Sequence, residues 1–203
     1  MTMNELFPVF LKMDGLSVLL VGGGPVGVEK LTALLANSPQ AKIEVVAETV
    51  SPAMQELAGQ SDQVALFQRR FEYADLDGKD VLFLTTGDRR LSEEIFAEAR
   101  KRKILVNTAD TPDLCNFYMS SIVRKGDLKI AISTNGKSPT MAKRLREFLA
   151  DLIPGEIQET LVRLNRIRNG VKGDFQTKVK VLNKITSGWM DKMGLDNESS
   201  SAQ

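Results

Sequence analysis

Apolar and polar positions fall into short, alternating blocks over the first half of the chain. Residues 17–21 (Ser-Val-Leu-Leu-Val) form an apolar run that stops at three glycines, which predicts a strand buried on both faces. Val26, Lys30, Leu31, Leu34 and Leu35 then recur at spacings of three and four, predicting a helix that ends at Asn37-Ser38-Pro39. A second strand is expected over 42–47. Ser51-Pro52 opens a short helix running to about Leu57, with serine as cap and proline in the first turn. Ala65 to Arg69 reads as a third, more polar strand and Asp80 to Thr85 as a fourth, strongly apolar one. Leu91, Ile95, Phe96 and Ala99 lie on one face of a helix predicted over 91–102, whose start at Ser92-Glu93-Glu94 suits the positive end of a helix dipole. Ile104-Leu105-Val106 is the fifth strand. Strands alternating with helices predict an α/β fold with a parallel sheet and right-handed crossovers.

The rhythm changes after Asp110. Two strand-like runs, Phe117 to Val123 and Leu128 to Ser133, flank Arg124-Lys125-Gly126-Asp127 and predict a β-hairpin. Ser138-Pro139 starts a helix that runs to about Asp151, and Ile153-Pro154-Gly155 breaks it. Ile157, Leu161, Leu164 and Ile167 mark a further amphipathic helix over 156–168. Phe175, Val179, Leu182, Ile185 and Trp189 mark another over 174–190. The tail 194–203, rich in serine and polar residues, is expected to be disordered.

Composition narrows the chemistry. The chain has 203 residues, 42% hydrophobic and 26% charged, which is ordinary globular usage. No stretch approaches the roughly 18 apolar residues of a spanning helix, and no signal peptide is evident. Lys and Arg number 27 against 26 Asp and Glu, so no nucleic-acid or membrane partner is indicated by charge. A single cysteine, Cys115, makes neither an internal disulfide nor a Cys-based zinc site, and a reducing cytoplasm is the expected compartment. Histidine is absent, which excludes His-based triads and HExxH zinc sites. Proton transfer must fall to Asp, Glu, Lys, Tyr or Cys.

Gly22, Gly24 and Gly27 give GxGxxG after the first strand and before the first helix, inside a βαβ unit of about thirty residues. The first glycine permits the tight turn, the second lets a pyrophosphate approach bare backbone, and the third lets helix and strand pack closely. This marks a Rossmann-like dinucleotide site rather than a ligand-free glycine turn. Glu48, just past the expected end of strand two, is placed to accept from ribose hydroxyls, which favours NAD; the competing reading is a solvated loop glutamate. No arginine adjoins Glu48 in sequence to receive a 2′-phosphate. Asn107 and Asp110 follow strand five, at the carboxyl edge where open α/β sheets bind ligands, and are expected to face the same crevice. Asp110 is the best-placed proton acceptor, set against a plain turn former in Asp110-Thr111-Pro112. Cys115 has no histidine to activate it and reads as a small buried apolar residue. Ser133 to Pro139 is a polar turn into a helix: an anion site, or simple capping by Ser138. The second half is net basic, which suits an acidic small molecule or merely solvated helix faces.

These blocks together resemble the precorrin-2 dehydrogenase family, the dehydrogenase/ferrochelatase module of siroheme synthases. The match is carried by Phe7-Pro8-Val9-Phe10-Leu11 leading to Val21 through Gly27 and Lys30. It continues in Val106-Asn107-Thr108-Ala109-Asp110 with Pro112, Leu114, Cys115 and Phe117. The third block is Ile130 through Pro139, running on to Ala142 and Arg144-Leu145-Arg146. The resemblance implies an NAD-binding Rossmann domain over 1–113, a β-hairpin/helix dimerisation region over 114–151 and a small α-helical domain over 152–193. It implies oxidation of precorrin-2 to sirohydrochlorin with NAD, ferrous iron insertion in some members, and a homodimer that covers the hairpin's strand edges. By resemblance, Asp110 is the catalytic aspartate. Pro25, Val26, Glu48, Thr49 and Thr85 join Gly22, Gly24 and Gly27 as cofactor contacts. Ser138 maps to the serine of the family's Gly-x-Ser-Pro turn, phosphorylated in some members, and Asn107, Lys137 and Ser138 are expected to contact the tetrapyrrole. Many members have a small residue where Val28 stands and an alanine near Gly27, and Thr85-Thr86-Gly87-Asp88 is a variant of the family's usual segment after strand four. A methyltransferase domain, fused to this module in some siroheme synthases, is missing here, so methylation is expected from another protein. Two alternatives stay open at this stage: a non-catalytic NAD- or tetrapyrrole-binding regulator, and a chelatase alone.

Overall fold

A computed structural model describes residues 4–192. The chain divides into two units, Met1–Met119 and Ser120–Gln203.

In the first unit, five parallel strands make one sheet: β1 (Ser17–Gly23), β2 (Lys42–Val50), β3 (Val64–Gln68), β4 (Val81–Leu84) and β5 (Leu105–Thr108), in the order β3-β2-β1-β4-β5. Helices α1 (Pro25–Asn37) and α2 (Pro52–Gly59) precede β2 and β3, and α3 (Arg89–Lys101) joins β4 to β5. Strands β1 and β4, at the centre of the sheet, read as unbroken apolar runs because both faces are covered, whereas the edge strand β3 is half-exposed and more polar. Val18, Leu20, Ile43, Val45, Val81 and Phe83 point to one side, where they meet Leu31, Leu34 and Met54 of α1 and α2. Leu19, Val21, Val46, Leu82, Leu84 and Val106 point to the other and meet Ile95 and Ala99 of α3. The strand order reverses between β1 and β4, which opens a crevice at the carboxyl edge of the sheet.

Three boundaries differ from expectation. Strand β2 runs to Val50 rather than ending at 47, because Gly23 pairs with Val50 across a shift in register; Glu48 and Thr49 therefore lie on the strand itself. Helix α3 starts at Arg89 rather than at 91. Asp88 caps it by accepting the Leu91 N–H at 3.1 Å, and its first turn holds no acidic residue. Glu93 and Glu94 sit a turn later and pair with Arg89 and Arg90. The segment after β5 stays with the first unit to Met119, beyond the expected boundary at 113. Asn116 exchanges bonds with the Val106 backbone (2.7 and 3.1 Å), and Phe117 packs edge-on against Phe83 at 5.6 Å.

In the second unit, β6 (Ser121–Lys125) and β7 (Leu128–Ile132) form the antiparallel hairpin, turning on Gly126-Asp127 alone, since Lys125 pairs with Leu128. Gly126 has φ +58°, as a two-residue hairpin turn requires. Helices α4 (Pro139–Leu152), α5 (Ile157–Gly170) and α6 (Phe175–Lys192) follow. Val123, Ile153 and Ile157 form a small core with Leu128, Ile130 and Leu149, so the expected dimerisation region and helical domain share one cluster across residue 152. The tail 194–203 and the side chain of Trp189 lie outside the described residues. No described helix is long and apolar enough to cross a membrane.

Candidate dinucleotide cleft and its neighbouring aspartate

The carboxyl ends of β1, β2 and β4 enclose a cleft of about 710 Å³. Its floor is Gly22-Gly23-Gly24, its walls include Glu48 and Thr49 of β2 and Thr85 and Thr86 after β4, and Arg70 and Phe71 close one side. The glycine turn is built by geometry that side chains would spoil. Gly22 has φ +120°, and a Cβ there would lie 2.5 Å from Thr85 Oγ1. Thr85 donates its hydroxyl to Val21 O at 3.0 Å, so it latches the turn. A Cβ on Gly27 would lie 2.4 Å from Gly22 O; the helix start and the strand end touch backbone to backbone.

A nicotinamide dinucleotide fits this architecture. The volume lies within the usual range for cofactor sites. A Cβ at Gly24 would meet nothing within 4 Å, so the backbone there borders open space. Gly24 caps α1 without a side chain, leaving the first-turn N–H groups of Val26 and Gly27 without a side-chain acceptor, at the positive end of the helix. Gly22, Gly24, Pro25, Glu48, Thr49 and Thr85 line the cleft, while Val26 and Gly27 stand in the first turn of α1 behind it.

The sequence argument missed Arg70. It stands two residues past β3, and its guanidinium reaches Glu48 Oε1 from Nε (3.1 Å) and from the terminal nitrogen (3.0 Å). The absence of an arginine beside Glu48, true along the sequence, is therefore corrected in space. The signal lay in strand register: Gln68 pairs with Ala47, which brings the residues after each into one row.

Asp110 stands two residues past the end of β5. Ala109 donates to Leu84 O at 2.9 Å, which holds the chain just before Asp110 beside the end of β4. It does not line the cleft itself. Its backbone is left-handed (φ +54°), its side chain is exposed, and its carboxylate makes no hydrogen bond or ion pair with the described residues. Neighbouring acidic groups are engaged: Asp113 with Arg89 at 2.7 Å and Asp88 as a helix cap.

Asn107 is placed differently from the expectation that it faces the crevice. It is 6% exposed and donates to Phe117 O at 2.9 Å, so it ties β5 to the segment that follows. Cys115 is half-buried rather than a plain apolar filler. Its sulfur accepts from the Thr108 N–H at 3.2 Å, and its thiol hydrogen faces the carbonyls of Thr108 and Thr111. Burial pushes the thiol above the usual cysteine range, which keeps it neutral and a poor nucleophile. Lys137 and Ser138 belong to the second unit. Ser138 caps α4, accepting the Met141 N–H at 3.2 Å, and Lys137 is exposed beside it. No group of three or more Cys, Asp or Glu side chains able to hold a metal occurs among the described residues.

Comparison with known proteins agrees with this geometry. The family described as "Putative NAD(P)-binding" matches residues 9–121, and the one described as "Sirohaem biosynthesis protein central" matches residues 125–152. Siroheme synthase 1 of Serratia proteamaculans (strain 568) is 33% identical over 168 residues, covering 83% of this chain and 35% of that protein. Siroheme synthase of Photorhabdus laumondii subsp. laumondii is 37% identical over 153 residues, covering 75% and 32%. The chain thus spans about a third of the length of these curated relatives. The solved structure of SirC, a precorrin-2 dehydrogenase, shares the fold with a TM-score of 0.71 at 23% identity, covering 93% of this chain and 99% of that one. The chain therefore belongs to the NAD(P)-binding family, whose model spans residues 9–121.

Proposed function

We propose that this protein is an NAD-dependent precorrin-2 dehydrogenase that forms sirohydrochlorin. The observation that carries the reading is the pairing, on one sheet edge, of a glycine-floored cleft with the exposed Asp110 carboxylate, which has no partner among the described residues. Bound NAD would supply a hydride acceptor at its nicotinamide. The chain's own residues do the rest. Backbone of Gly22 to Gly24 and the start of α1 hold the pyrophosphate. Glu48 accepts from ribose hydroxyls, with Thr49 beside it, and Thr85 fixes the turn. Oxidation of the macrocycle removes a hydride and a proton; Asp110 accepts the proton or orients the ring for its loss to water. Lys137 and Ser138 bind peripheral carboxylates: Ser138 still has its hydroxyl hydrogen to donate, since its oxygen alone serves the cap. Asn107 acts from behind by holding the segment after β5.

Ferrous iron insertion into the product ring would require pyrrole protons to leave. Asp110 is the exposed carboxylate available for that second step. We also propose a homodimer. Met141, Leu145, Phe148 and Leu152 recur at four, three and four along α4, and all are exposed, Phe148 at 62%. That stripe suits a helix seam between two copies.

Incubation with precorrin-2 and NAD tests the reading. NADH absorbance should rise with sirohydrochlorin; ferrous ion added afterwards should convert the product spectrum if the second step operates. Binding of NAD without NADH formation would favour a regulator, and iron insertion without NADH a chelatase alone.

A further inference from the structure

Adjacent arginines, Arg69 and Arg70, leave β3 in different directions. Arg69 is clamped to Asp75 by two bonds of 2.9 and 2.6 Å, with its guanidinium over the Phe67 ring. Arg70 turns instead to the cleft wall and meets Glu48. Both side chains of that second pair are open to water, 82% and 63% exposed, and such a pair adds little to folding. Its place in the cleft wall and its geometry are more informative. Both Arg70 nitrogens converge on Oε1, so Oε2 of Glu48 stays available as an acceptor. Removing the Glu48 charge would leave an unpaired guanidinium at the position where a ribose 2′-substituent lies in folds of this type.

We propose that Arg70 determines cofactor specificity together with Glu48. Paired, Arg70 holds Glu48 with one oxygen turned to the ribose hydroxyls and is itself neutralised, so NAD is preferred over NADP. Unpaired, Arg70 receives a 2′-phosphate, for which its planar fork is well matched. The proposal rests on the dinucleotide reading of the cleft and adds to it a second residue and a direction of selectivity.

Calorimetric titration of the full chain with NAD and with NADP tests it, using wild type, Glu48→Gln, Arg70→Gln and the double variant. Wild type should favour NAD by at least about tenfold. Glu48→Gln should weaken NAD and strengthen NADP, shifting the ratio by about tenfold or more; in the double variant the NADP gain should vanish. Arg70→Gln alone should weaken NAD by a few fold, and Arg70→Lys should restore part of that loss. The NADP gain should shrink as salt rises, because it rests on an exposed charge. An NADP affinity that is the same in Glu48→Gln and in the double variant would overturn the role of Arg70 while leaving the cleft assignment standing. Failure of wild type to bind either nucleotide would instead overturn the cleft assignment, and this proposal with it.

Discussion

At the scale of single residues, the site depends on places where a side chain is missing and one where it is unpartnered. Gly27 is the tightest of the former, since any Cβ would press on the Gly22 carbonyl. Gly27→Ala should destabilise the protein by about 1–3 kcal/mol and weaken dinucleotide binding more than that loss alone explains, because the turn must move. Denaturant unfolding and a NAD titration check both; an unchanged midpoint with unchanged affinity would contradict the packing argument. Asp110 is the unpartnered one. Its left-handed backbone favours Asp or Asn over other non-glycine residues, so Asn can replace it without disturbing the loop. The glycine pattern was legible in the sequence because each glycine answers a backbone requirement. Asn107 was not: nothing along the chain showed that its amide would be spent on Phe117 O rather than on a ligand.

At the scale of elements, the central strands β1 and β4 were readable because burial on both faces writes a continuous apolar run, and the strand ends were not. Glu48 looked like a loop residue because the run of Val and Ala stops at 47, yet pairing of Val50 with Gly23 carries the strand on. Helix α3 looked acidic at its start because Glu93 and Glu94 are conspicuous, yet Asp88 is the cap. Arg70 was hidden because its relation to Glu48 is one of register between parallel strands rather than of sequence. The turn after β3 makes its own prediction. Hydrogen bonding from Arg69, with a bond from the Glu72 N–H, holds the Asp75 carboxyl below the usual carboxylate range. A lowered folded pKa contributes stability that is present above the unfolded value, near about 3.9, and is lost as pH falls through the folded one. Asp75→Asn should therefore lower stability at pH 6 and flatten its acid dependence below about pH 4, read from unfolding midpoints across pH. An unaltered acid limb in the variant would show that the clamp is idle.

At the scale of the whole molecule, the sequence resemblance supplied what patterning could not. The Ser138-Pro139 start and the break at 153–155 located α4, and the apolar residues of that helix serve two purposes. Leu149 and Ala150 pack on the hairpin, whereas Met141, Leu145, Phe148 and Leu152 remain exposed. For the proposed homodimer, Leu145→Lys with Phe148→Lys should give a monomer by sedimentation at micromolar concentration without loss of helical signal. A dimer that persists in this variant would place the contact elsewhere. The proposed reaction joins NAD in the glycine-floored cleft to the Asp110 carboxylate just past β5. Its most direct test is the rate of NADH formation from precorrin-2 by Asp110→Asn, with NAD affinity measured in parallel. Affinity near wild type and a rate lowered by about 10²-fold or more are expected. Wild-type turnover in that variant would contradict it.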